Sequence, residues 1–76
     1  MSRRLPQVDA RELTAALKRA GFEVCRGKGS HLGLRHPVTQ RRTVVPQHPG
    51  KIDPYLVEVI LKQAGISATR FRDLLG

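Results

Sequence analysis

The 76-residue chain has a single cysteine, no tryptophan, one tyrosine and two phenylalanines. It also has no apolar run approaching the roughly 18 residues of a membrane span. Cys25 alone excludes an internal disulfide and a cysteine-based zinc site, so nothing in the composition calls for an oxidising compartment. The Met1 end carries no apolar stretch of the signal-peptide kind, and a cytoplasmic protein without a membrane partner is expected. Acidic side chains are scarce as well, six against fourteen Lys and Arg, for a formal net charge of +8. They are absent altogether from residues 24–52, a stretch that holds six basic side chains and all three histidines, His31, His36 and His48. One contiguous segment that excludes one sign of charge is either a solvating surface or the footprint of a polyanion binder. Its confinement to the middle third favours the polyanion, and nucleic acid is the commonest one in a cytoplasm.

What the chain does have is enough apolar surface to collapse. Leu, Ile, Val and Phe make up 21 of its residues, which places it above the range of chains that stay disordered. The length allows one small domain whose core supplies a net stability of about 3–5 kcal/mol. Residues 1–8, with Arg3, Arg4 and Pro6, read as a flexible basic arm, and residues 9–76 as the single domain. Asp9 is an N-cap, Glu12 completes a capping box, and Val8 and Leu13 are spaced for a hydrophobic staple, so a helix starts at Ala10. Leu13, Ala16, Leu17 and Ala20 form its apolar stripe, and Gly21 stops it.

From Phe22 the period changes to two: Phe22 and Val24 alternate with Glu23 and Cys25, and Gly27-Lys28-Gly29 reads as the turn of a hairpin. In residues 30–36, Leu32 and Leu34 share one face, which puts His31, Gly33 and Arg35 on the other, solvent-facing side. Pro37 to Gln40 form the next turn, and Arg42 to Val45 a third strand that Pro46 ends. Asp53-Pro54 opens a second helix with Leu56, Val57, Ile60, Leu61 and Ala64 on its apolar face and Gly65 as its stop. Ser67 caps a short last helix whose Phe71, Leu74 and Leu75 fold back on the core. The order, α-β-β-β-α plus a short C-terminal helix, describes an α+β fold in which helices cover one face of a three-stranded antiparallel sheet. Double-stranded-RNA-binding domains have the same order.

The run Gly27-Lys28-Gly29-Ser30-His31 combines backbone freedom, a cation, a hydroxyl and an imidazole. Glycines let backbone N–H groups approach an oxyanion, Lys28 supplies charge, and an imidazole exchanges protons near neutral pH. RNA carries its own nucleophile, so a base for the 2′-hydroxyl, an acid for the leaving 5′-oxygen and cations at the phosphorus suffice without metal or cofactor. His31 is the candidate base, with Arg35 on its face and Lys28 beside it. A glycine turn between strands is ordinarily only a turn, and a strand histidine is often merely solvated. His48, in a basic loop, is a second acid, a phosphate contact or a surface histidine; His36, beside Pro37, reads as structural. The spacing of the three histidines matches no zinc-ligand pattern. Cys25 reads as a strand filler, and Tyr55 either stacks on a base or packs half-buried at the start of its helix.

Three motifs together resemble the HicA toxins, also called YcfA-like mRNA interferases. They are Gly29-Ser30-His31, Thr43-Val44-Val45-Pro46-Gln47-His48, and Ile60-Leu61-Lys62-Gln63-Ala64-Gly65-Ile66, within a match over roughly residues 9–75. The resemblance implies a double-stranded-RNA-binding-like fold, and ribonuclease activity toward mRNA in a bacterial type II toxin–antitoxin pair with a HicB-like antitoxin. It also implies a catalytic histidine at His31, flanked by Gly29 and Ser30. Contacts to RNA from Lys28, Arg35 and His48 rest on charge and position. A non-catalytic double-stranded-RNA-binding module and an adaptor for an acidic protein are the competing readings. The first calls for a lysine cluster at the start of the last long helix, where this chain has Asp53 and only Lys51 nearby.

Overall fold

The computed structural model describes residues 5–76, apart from the side chain of Lys28. Its elements run α1 (Ala10–Arg19), β1 (Glu23–Lys28), β2 (His31–Arg35), β3 (Arg42–Pro46), α2 (Pro54–Ala64) and α3 (Ala68–Leu75). The strands form one open antiparallel sheet in the order β1-β2-β3, and the whole is the α+β, double-stranded-RNA-binding-like architecture that the element order implied. Helix starts follow local chemistry. Asp9 accepts the Glu12 N–H while Glu12 accepts the Asp9 N–H, closing the capping box, and the staple residues Val8 and Leu13 are both buried. Asp53 caps α2 ahead of Pro54, and the Ser67 hydroxyl accepts the Arg70 N–H at the start of α3.

The core lies between the sheet and the helices. Leu13 and Leu17 of α1, Leu34 and Val45 of the sheet, Val57 and Ile60 of α2, and Phe71 of α3 are almost wholly excluded from water. Thr43 is the buried polar residue among them, and its hydroxyl donates to Gln63 Oε1 at 2.8 Å, tying β3 to α2.

Four sequence expectations need correction. Arg3 and Arg4 of the expected basic arm lie outside the described residues, but its other end is docked. Val8 is buried, its carbonyl accepts the Ile52 N–H at 2.8 Å, and Leu5 packs against the core. The first hairpin turn is shorter than Gly27–Gly29: β1 continues through Lys28 and a two-residue loop, Gly29-Ser30, leads into β2. Gly29 has φ +61°, the left-handed value a tight hairpin needs at its first loop position. Gly27 belongs to β1, paired with Leu32, and a Cβ there would lie 3.2 Å from Leu32 Cδ1. Third, the alternation in β1 breaks at Cys25, where the register shifts between Val24 and Arg26, so Arg26 stands opposite Gly33 on the outer face. Val24 is paired with buried Leu34 yet is 44% exposed, because β1 is a sheet edge that no helix covers. Fourth, Tyr55 is 73% exposed rather than half-buried.

Candidate nucleic-acid interface

Strand register sorts the middle third of the chain into two faces. The rows Leu34–Thr43 and Leu32–Val45 point toward the helices, and the rows His31–Pro46, Gly33–Val44 and Arg35–Arg42 occupy the outer face. His31 is exposed on the outer face, as the alternation of β2 predicts. Ser30 Oγ is 3.4 Å from its Nδ1, which leaves Nε2 as the ring nitrogen without a protein partner among the described residues. Lys28 is paired with His31 in register; the side-chain placement expected for it lies outside the described residues.

The structure brings His48 to His31. Their ring centroids are 6.5 Å apart with the ring planes 79° to one another, and both residues are exposed. Gln47 makes this meeting possible. Its N–H donates to the Ser30 carbonyl at 2.6 Å, and its side-chain amide donates to the Val45 carbonyl at 3.1 Å, pinning the loop after β3 to the hairpin turn before β2. Nothing about Gln47 as a residue type announced this, because the contact joins positions 17 apart; its place beside His48 in the second motif was the available signal.

Arg35 lies on the same outer face but is only partly exposed, and its guanidinium donates to Gln40 Oε1. Arg26 and Arg42 join it around an open concavity of about 400 Å³ floored by Gly33, the size of a small-ligand pocket. Neither arginine was singled out from sequence, since their face depends on the bulge at Cys25 and on the β2–β3 register. The other two cations of the acid-free stretch do structural work. Arg41 lies over Gly65 and donates to the Gln63 carbonyl at 3.4 Å, a favourable place for a cation at the C-terminal end of α2. Lys51 Nζ is 3.3 Å from Glu12 Oε1.

His36 is not part of the site. Its Nδ1 accepts the N–H groups of Val38 and Thr39 at 3.1 and 3.2 Å, and its ring meets Phe22 edge-on at 5.2 Å. Cys25 is exposed and unpaired in a disulfide, beside Gly33. Among the described residues no group of three or more His, Cys, Asp or Glu could hold a metal ion, and no helix is long and apolar enough to cross a membrane.

No curated protein matches the chain. A family model does: that of the HicA toxin of bacterial toxin–antitoxin systems matches residues 10–66, from the first residue of α1 to just past α2, a span that includes His31 and His48. With the fold and that match in agreement, the chain belongs to the HicA toxin family.

Proposed function

We propose that this toxin is a metal-independent endoribonuclease that cuts mRNA in the bacterial cytoplasm through His31, with His48 as its proton-transfer partner. The observation that carries the reading is the approach of two exposed imidazoles, 6.5 Å between centroids, one from the start of β2 and one from the loop after β3, on a sheet whose outer face is lined with arginines. His31 Nε2 takes the 2′-hydroxyl proton, the 2′-oxygen attacks phosphorus, the bond from phosphorus to the 5′-oxygen breaks, and His48 gives that oxygen its proton. The products are a 2′,3′-cyclic phosphate and a 5′-hydroxyl. Ser30 orients the His31 ring through Nδ1, and Gly29, with open space where its side chain would be, leaves the backbone of the turn bare toward the phosphate. Lys28, from its place opposite His31 in the register, supplies charge near the developing phosphorane, and Arg35, further along the same face, contacts RNA beyond the cleaved bond.

The RNA-binding-only reading fares worse. The start of α2, where such a module would meet phosphates, presents the Asp53 carboxylate, and the nearby Lys51 is engaged by Glu12. Control comes from a HicB-like antitoxin that covers His31 and competes with RNA for the basic face. The deciding experiment is cleavage of a single-stranded RNA in EDTA. The expected result is undiminished cutting with cyclic-phosphate ends; activity that requires added metal, or that leaves 5′-phosphate ends, would refute the mechanism.

A further inference from the structure

We infer that the outer face of the sheet is the track along which the substrate strand runs away from the histidine pair, with Arg26, Arg35 and Arg42 holding successive phosphates of single-stranded RNA. The inference rests on the reading of this protein as an RNA-cutting enzyme and says where the rest of the substrate lies.

The first observation is a charge arrangement that folding alone disfavours. Arg35 and Arg42 stand directly opposite one another in the β2–β3 register, a like-charge cross-strand pair, and Arg26 sits one row nearer His31. Glu23 occupies the edge position of the Arg35 row, yet the Arg35 guanidinium is held by the neutral Gln40 side chain rather than by a carboxylate. A polyanion lying on the face relieves that repulsion, and releases counterions as it does so.

The second observation is Gly33, at the centre of the concavity. Its φ is not positive, so the backbone does not demand glycine, and the nearest atoms to a Cβ there would be Arg26 Cβ and the Arg26 carbonyl oxygen at 3.5 Å and Cys25 Sγ at 3.7 Å, ordinary contact distances. A side chain would therefore fit; what its absence provides is a clear floor between the arginines, where a strand interior otherwise gains from a β-branched residue.

The third is continuity and chemistry. From His31 to Arg35 the rows of the outer face advance about 13 Å along β2, enough to carry a backbone out of the histidine pair. Between the arginines the concavity carries Val44 and Cys25 and no aromatic ring, so bases there find nothing to stack on and the track reads phosphates rather than sequence. The row of Arg26 and Gly33 is the next on the outer face after the row of Lys28 and His31, so a phosphate held there is continuous with one placed at the histidine pair.

The test is equilibrium binding of a fluorescent single-stranded RNA to His31→Ala protein, which cannot consume it, over a range of salt concentrations. Adding Arg26→Gln, Arg35→Gln and Arg42→Gln should flatten the slope of log K against log salt by about 2, at about 0.7 for each phosphate left without its arginine. Gly33→Val, which keeps every charge, should weaken binding at least several-fold with the slope unchanged, and Arg42→Gln alone should flatten it by about 0.7. RNAs of different sequence should lose affinity alike. A triple variant that keeps the parent slope overturns the track while leaving the nuclease reading intact, and if that variant loses affinity for an antitoxin instead, the face belongs to the partner. Failure of the nuclease reading shows separately, as wild-type protein that binds with the full slope and does not cut.

Discussion

β2 is bracketed by two histidines with opposite fates, and the difference lies in what the chain does next. His36 enters a closed turn: the Gln40 N–H reaches its carbonyl at 2.9 Å, two further N–H groups reach its Nδ1, and its ring is pressed on Phe22 and Gly21. Its polar atoms are spent on holding backbone. His31 leaves a two-residue turn with one ring nitrogen near Ser30, and finds another imidazole across the gap. A histidine's role is thus set by whether neighbouring backbone has already claimed its nitrogens.

That contrast can be broken by exchanging which histidine is removed. His31→Ala should reduce RNA cleavage by about 10³-fold or more, while thermal unfolding moves little because the side chain is exposed and packs against nothing buried. Loss of His48 should cost less, about 10²-fold, since a leaving group can still take a proton from water. For His36→Ala the readouts trade places: unfolding free energy falls by about 1–2 kcal/mol, as two turn N–H groups lose their acceptor and Phe22 its edge-on neighbour, and cleavage per folded molecule is unchanged. Gly21→Ala, just past α1 and against the His36 ring, sharpens the comparison. Its φ of +104° and a Cβ placed 2.7 Å from His36 Nε2 should cost about 1–3 kcal/mol, measured by denaturant titration, again with the chemistry untouched.

The helices were legible in the sequence because their signals are local. Asp9 with Glu12, Asp53 with Pro54, and Ser67 each place their own polar groups within a few residues of the N–H groups they satisfy. The face of His31 was legible too, since the Leu32–Leu34 spacing settles β2 without knowledge of its neighbours. Where reading failed, the deciding contact was distant. Gly27 looks like a turn residue until Leu32 is known to lie across from it, and Arg26 changes face only because β1 bulges against β2. Arg41 and Lys51 counted toward the basic stretch in the sequence, whereas the fold spends one on the end of α2 and the other on Glu12. His48 could be named as an acid or a phosphate contact, but its proximity to His31 runs through Gln47 and the Ser30 carbonyl.

The two-histidine centre is tested most directly by the pH dependence of RNA cleavage in wild-type protein and in His48→Ala. A base that must be neutral loses activity as pH falls, and an acid that must be protonated loses it as pH rises, so the wild type should show a bell. Removing His48 should abolish the alkaline limb and leave the acid limb, which belongs to His31, in place. A His48→Ala profile that keeps the full bell would contradict the account.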